Sequence, residues 1–241
     1  MIAVDADGAI RTVTLDRPDR HNALDWEGLS ALEAAIAEAD EPVIYLHGAG
    51  ESFCAGADLN VVAELSRREA AAFARRGQRV ATAIEEQEAV VVCGIDGPAR
   101  GGGVELALAC DVRVATPTAT LGETGIELGL FGAWGGTIRL PEVIGQGDAL
   151  EFALTGRIVD AAEARQMGLV SRVVDHPRDV AVRIAGHEGA AIRTLKDRIR
   201  DDADRETKAR REAEAFAILV DAYSAGLEAA EAGADPGMPS D

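Results

Sequence analysis

The sequence predicts an α/β fold with a helical C-terminal part. Three observations carry this. Strand-like and helix-like apolar patterns alternate as far as about residue 175. Two short apolar runs, Val43-Ile44-Tyr45-Leu46 and Val90-Val91-Val92-Cys93, each read as a buried strand that leads into a glycine-rich loop. Beyond Asp175 the chain is heavily charged and helical until Ala229. The expected division is a core over residues 1–180 and a helical region over 181–241, with a last dozen residues that fray.

Taken in order, Ile2, Val4, Ile10, Val13 and Leu15 suggest a hairpin turning at Ala6-Asp7-Gly8. Leu24, Leu29, Leu32 and Ile36 recur at helical spacing, and Glu41-Pro42 ends that helix. The strand at 43–46 runs into the loop His47 to Asp58. Ser66 with Glu69 forms a capping box and opens a long helix with Phe73, Val80 and Ile84 on one face. After the strand at 90–93 come the turn Asp96-Gly97-Pro98 and a triple glycine. Gly102 to Cys110 reads as a helix that is apolar nearly all round and therefore buried. Val112 and Val114 continue as a strand, and a second glycine-rich stretch runs from Gly122 to Gly136. Asp160 and Glu163 form a second capping box, with Gly168 ending the short helix they open.

Composition bounds the function. With 241 residues and 47% apolar residues the chain can bury a sizeable core, while aromatics at 4% leave packing to aliphatic side chains and close backbone approach. A formal charge of −18 disfavours nucleic acid as a partner, because phosphates would be repelled. The alternating N-terminus reads as a strand rather than a signal peptide, and no window approaches the roughly 18 apolar residues of a membrane span. Cys54, Cys93 and Cys110 are odd in number and widely spaced, which argues against a disulfide framework or a metal site. A cytoplasmic protein with reduced thiols is expected. Only Lys196 and Lys208 are lysines among the 24 basic residues. A lysine-poor, acid-rich surface is what a salt-loving source would select, and a GC-rich genome would give the same bias.

Two segments share one design: SFCAGADL at 52–59 and DGPARGGGVELALACD at 96–111, each a glycine-rich loop after a buried strand. Glycine lets the backbone turn sharply and approach a ligand closely. In the second, the triple glycine opens a helix, so free N–H groups and the positive dipole end point outward. Such an N–H suits an oxyanion, the charge that grows on a thioester carbonyl as it becomes an enolate. Glu105 sits in the first turn of that helix, three residues past Gly102, where it can move a proton beside the carbonyl. Its apolar neighbours raise its pKa and the helix dipole lowers it.

These segments resemble the crotonase, or enoyl-CoA hydratase/isomerase, superfamily over roughly residues 1–200. LDRPDRHNAL at 15–24, GAGESFCAGADL at 48–59 and GPARGGGVELALACD at 97–111 match in order, as do GLFGAWGGTIRL at 129–140 and LTGRIVDAAEARQMGLVSRVV at 154–174. The resemblance implies a crotonase/ClpP-like core of stacked ββα turns, assembled as a homotrimer or a dimer of trimers. It implies an acyl-CoA thioester as the bound partner, with no cofactor beyond the coenzyme A of the substrate. Ala57 and Gly102 would supply the oxyanion hole and Glu105 would be the acid/base. Ala23, Leu24, Ala55, Asp58, Leu59, Asn60 and Gly101 would line the path of the CoA thioester.

The family's second glutamate is missing. In GETGIELG at 122–129 its slot holds Gly125, flanked by Glu123 and Glu127 two residues away on either side. Alternation in an extended segment could turn either of them inward, but a two-residue step moves a side chain by about 7 Å, too far for a simple exchange of role, and both are expected in solvent rather than in catalysis. The C-terminal helices also depart from the family pattern, so chain-length preference does not transfer.

Each feature also has a plainer reading. The glycines can be ordinary turns, and Glu105 an ordinary N-terminal helix carboxylate. GGGVEL lacks the last glycine of a dinucleotide loop. His21, His47, His176 and His187 have no matching partners, Trp134 reads as core that narrows the acyl pocket, and the Arg/Glu run at 205–214 as a solvated helix face. Two functions are therefore carried forward: a hydratase, with isomerase second, and an acyl-CoA binding protein without turnover.

Overall fold

The computed structural model describes residues 1–233. By contact density the chain divides after Gly186, into Met1–Gly186 and a unit beginning at His187.

The first unit opens with the expected hairpin, β1 (Ile2–Asp7) and β2 (Ile10–Leu15), which pair antiparallel around Gly8. Asp25 caps α1 (Trp26–Ala37) by accepting from the Gly28 N–H, and β3 (Val43–Gly48) then pairs parallel with β2. The short α2 (Leu59–Glu64) leads into α3 (Arg67–Glu86), which opens on the full capping box of Ser66 and Glu69. Next come β4 (Val90–Ile95), β5 (Pro98–Arg100), α4 (Gly102–Ala109), β6 (Val112–Ala115) and β7 (Thr120–Gly122). The unit closes with α5 (Gly136–Ile144), α6 (Gln146–Thr155), β8 (Ile158–Asp160), α7 (Ala161–Met167), β9 (Arg172–Val173) and α8 (Arg178–Ala185).

One sheet has the order β1-β2-β3-β4-β6-β9, parallel from β2 onward, and a second has the order β5-β7-β8. Every residue of β4 is buried, as a parallel strand covered on both faces must be. Leu15, Leu29, Leu32, Ile36, Ile44, Leu46 and Phe53 are among the fully enclosed side chains of the core. The turn expected at Asp96-Gly97-Pro98 does more than turn. Gly97 has φ +80°, and from Pro98 the chain becomes β5, the strand that seeds the second sheet and aims the triple glycine.

Three local expectations are adjusted. Asp160 does accept from the Glu163 N–H, but the reciprocal half of that box is absent among the described residues, because the Glu163 carboxylate pairs with Arg157. The boundary falls at Gly186 rather than 180, since α8 buries Ala181 and packs against β3. Residues 230–233 continue a helix; the rest of the expected frayed tail lies outside the described residues.

The second unit contains α9 (Gly189–Arg200) and α10 (Arg205–Gly233), with Asp204 accepting from the Glu206 and Thr207 N–H groups at the start of α10. Among the described residues no helix is long and apolar enough to cross a membrane.

Candidate active site

The two glycine-rich loops meet because three short chain segments are stitched together. The Phe53 and Cys54 N–H groups donate to the Pro98 carbonyl, and the Arg100 N–H donates back to Cys54. On its other side the first loop pairs with Leu24, whose N–H donates to Gly56 O at 2.8 Å and whose carbonyl accepts from the Asp58 N–H at 2.9 Å. Asn22 locks this arrangement. It is buried in a left-handed conformation, φ 59°, with Nδ2 reaching the carbonyls of Ala49, Ser52 and Phe53 and Oδ1 accepting from the Arg17 N–H.

Gly56, at φ +84°, lies so close to the second loop that a Cβ there would stand 2.7 Å from both the Gly102 nitrogen and the Arg100 carbonyl oxygen. Only glycine fits. The Ala57 and Gly102 nitrogens are thereby brought to one place. Among the described residues neither N–H donates a hydrogen bond. Gly102 is the first residue of α4, where an unpaired N–H is inherent to a helix start.

Ala55, Ala57, Leu59, Gly101, Gly102 and Glu105 line one cavity of about 230 Å³, and Gly125 lies on its wall. Ala23, Ala55, Ala57, Asp58, Leu59 and Asn60 line an adjoining groove of about 320 Å³, to which Arg20 also belongs. Leu24 stands apart from the other residues expected along this path. Its side chain is buried, and its contribution is the backbone pairing that holds the first loop. Arg20 lies within LDRPDRHNAL but is not among the expected site residues; Arg17, three residues earlier, pairs with Asp58 at 3.0 Å.

Glu105 projects from the buried helix α4 and is only 1% exposed. The Trp134 N–H donates to both of its oxygens, at 2.9 and 3.0 Å, and the Gly136 N–H donates to Oε1 at 2.6 Å. Burial raises its pKa above the ordinary glutamate value, against the opposing pull of these N–H groups and of the Arg139 charge. The indole of Trp134 fills the space over Gly102 and Gly77 and meets Phe73 edge-on, with ring centroids 6.0 Å apart. Trp134 is core, as expected, and its main chain also fixes Glu105.

Glu123 overturns an expectation. It is not in solvent: it is 7% exposed, with Oε1 buried and without a hydrogen-bond partner among the described residues. Its carboxyl faces that of Glu105 across Gly132, where a Cβ would meet Glu105 Oε2 at 2.8 Å and Glu123 Oε2 at 2.9 Å. Burial, and then the Glu105 charge, push the Glu123 pKa well above the usual glutamate range. Glu127 is exposed, as expected.

The reason lies in the backbone. The segment was read as extended, but β7 ends at Gly122 and a 3₁₀ turn occupies Thr124–Leu128. At that bend the spacing of a strand no longer applies. The signal in the sequence was the pair Gly132 and Gly136, which leaves room for two carboxyls. Glu123 also lines a second, apolar cavity of about 410 Å³, together with Phe131, Gly132, Leu140, Ala149 and Leu150; Phe131 and Gly132 border both cavities.

Known proteins resemble this chain in sequence and fold. The family model described as enoyl-CoA hydratase/isomerase matches residues 5–225. A short-chain-enoyl-CoA hydratase of Clostridium acetobutylicum is 32% identical over 228 residues, covering 89% of this chain and 87% of that protein. A crotonyl-CoA hydratase of Syntrophomonas wolfei is 34% identical, covering 90% and 88%. Among solved structures, an enoyl-CoA hydratase from Bacillus anthracis superposes with a TM-score of 0.87 at 34% identity, covering 96% of each chain. A Thermobifida fusca structure in complex with CoA superposes with a TM-score of 0.82 at 28% identity, covering 92% of this chain and 94% of that one. The fold is that of crotonase, and the chain belongs to the enoyl-CoA hydratase/isomerase family.

Proposed function

We propose that this protein adds water across the double bond of a 2-enoyl-CoA thioester. The observation that carries the reading is the pair of unpartnered N–H groups, Ala57 and Gly102, lining one cavity with the buried Glu105 carboxylate. The hydratase names of the relatives and the CoA held by the Thermobifida fusca protein support the same substrate class.

The thioester carbonyl oxygen accepts from the Ala57 and Gly102 N–H groups. As water attacks the β-carbon, the π electrons move toward that oxygen and an enolate forms. Preorganised N–H donors stabilise the enolate more than the ground-state carbonyl, each worth about 3–4 kcal/mol at the transition state. Glu105 takes the proton of the attacking water, since the Trp134 and Gly136 N–H groups favour its ionised form. The CoA moiety lies along the groove of Ala23, Asp58 and Asn60, and the trimeric assembly of the family is proposed for this chain as well.

The test is hydration of crotonyl-CoA by wild type and Glu105→Gln, with butyryl-CoA binding measured alongside. Loss of about 10²–10⁴ in turnover with binding retained is expected. Tight binding with no wild-type turnover of any enoyl-CoA would sink the reading and leave an acyl-CoA binding protein.

A further inference from the structure

We infer that Glu123 supplies the second carboxyl of the reaction, entering from two residues before the side-chain-free Gly125, and that it delivers the proton to the substrate's α-carbon. This rests on the hydratase reading above and deepens it.

Geometry carries the inference. Glu123 is a buried carboxyl with an unpartnered oxygen, aimed at the other buried carboxyl of the site. Glu123 lines the apolar cavity, Glu105 lines the cavity that holds the Ala57 and Gly102 nitrogens, and Gly132 borders both, with one oxygen of each carboxyl converging on the space its missing side chain leaves open. A thioester held at the oxyanion nitrogens, with its acyl tail in the apolar cavity, passes between them.

The two groups are also unequal. Glu105 accepts three hydrogen bonds from backbone N–H groups, and the Arg139 charge, itself held by Glu85, favours its ionised form. Glu123 Oε1 accepts none among the described residues and faces a negative neighbour. Of the pair, Glu123 is the one that holds a proton, and two carboxyls whose surroundings separate them in this way divide into acid and base.

The step balances without a further reactant. Water oxygen bonds to the β-carbon, its proton passes to the Glu105 carboxylate, and the C=C π pair becomes the enolate. The enolate α-carbon takes the Glu123 proton, the carbonyl reforms, and the proton gained by Glu105 restores Glu123. A merely structural Glu123 would hold Glu105 in place, and a glutamine of the same shape would do so equally well.

The experiment compares wild type, Glu123→Gln, Glu123→Ala and the double variant Glu123→Ala/Gly125→Glu, all checked for folding by circular dichroism. Hydration of crotonyl-CoA is one readout. Uptake of deuterium at the α-carbon of butyryl-CoA in D₂O is the other; it requires α-proton transfer without water addition. Both should fall by about 10²–10⁴ in Glu123→Gln with KM within a few-fold. The double variant should regain part of what Glu123→Ala loses, because Gly125 lines the oxyanion cavity and a Cβ there meets nothing closer than 3.4 Å. Glu123→Gln within threefold of wild type in both readouts overturns the assignment, even if hydration itself is confirmed. A wild type that exchanges but does not hydrate, with exchange lost in Glu123→Gln, overturns the hydratase reading and sustains the role of Glu123. A wild type that binds butyryl-CoA and does neither overturns both.

Discussion

The indole of Trp134 lies against Gly77 of α3, in the volume a side chain there would need, and the main-chain N–H of the same tryptophan holds the Glu105 carboxylate. Packing between two elements distant in sequence thus sets the position of the Glu105 carboxylate. The tryptophan continues into an aromatic file through Phe73 to Trp26, with successive centroids 6.0 and 4.9 Å apart.

Gly77→Ala is therefore expected to destabilise the fold, although alanine is the better helix former by about 1 kcal/mol. A methyl group driven into the indole ring costs about 1–3 kcal/mol by overpacking. Turnover should fall with stability, because a displaced Trp134 withdraws its N–H from Glu105. Urea unfolding of Gly77→Ala, Trp134→Phe and the double variant checks this. Strict additivity of the two changes would show that the residues do not interact.

Glu105 is a structural acceptor as well as the proposed base, and the two roles separate by substitution. Glu105→Ala leaves the Trp134 and Gly136 N–H groups buried without an acceptor, a loss of about 1–3 kcal/mol for each. Glu105→Gln keeps one carbonyl oxygen in place. Both variants should lose turnover, and the alanine variant should unfold at lower urea by about 1 kcal/mol or more. Equal stabilities would mean that the carboxylate does not hold the 134–136 turn.

Glu123 gives the protein a pH dependence of stability with a definite sign. Unfolded, its carboxyl ionises near the ordinary value of 4.5, whereas the folded protein holds the proton to well above that. Between the two values the folded chain carries the extra proton. Stability contributed by the protonated group is complete below the unfolded pKa and is lost as pH rises, by about 1.4 kcal/mol per pH unit, until the folded pKa is passed. Glu105 from α4 faces Glu123, the Arg139 charge from α5 acts on Glu105, and both residues remain in the two proteins compared. Urea midpoints of wild type should accordingly decline relative to Glu123→Gln as pH is raised from about 4.5. Parallel curves would mean that Glu123 titrates alike folded and unfolded.

The buried strands and the two glycine-rich loops that follow them were legible because their signals are local. Buried apolar runs mark β3 and β4, and glycines at 56 and 103 mark where backbone must approach backbone. Glu105 was legible for the same reason, three residues into a buried helix. Glu123 was not, because its burial depends on contacts that no spacing rule contains: a bend after Gly122, and two glycines, Gly132 and Gly136, that admit its partner. Motif alignment puts Gly125 in the slot, and the fold brings in the neighbouring glutamate instead. Arg20 escaped because, even within LDRPDRHNAL, nothing sets one exposed arginine apart among 24 basic residues until a groove forms beside it.

Asn22, which braces the first loop from outside it, is the residue whose loss should be felt most widely. Its amide reaches three carbonyls of the 49–53 segment, and its left-handed φ of 59° is a conformation that alanine adopts only at a cost. Two substitutions divide these contributions. Asn22→Gly retains the backbone freedom and loses the hydrogen bonds, for an expected loss of about 2–4 kcal/mol; Asn22→Ala adds about 1 kcal/mol of backbone strain. The functional effect follows from the pairing of this segment with Gly56 through Leu24. A loosened first loop misplaces the Ala57 N–H, and one misplaced oxyanion donor lowers turnover by about 10²-fold. Because the groove proposed for CoA also runs along Ala23 and Asp58, KM should rise with it. Thermal unfolding ranks the two variants and steady-state hydration of crotonyl-CoA reads the loop. If Asn22→Gly proved as stable and as active as wild type, the 49–53 segment would be held by its own backbone and not by the Asn22 amide.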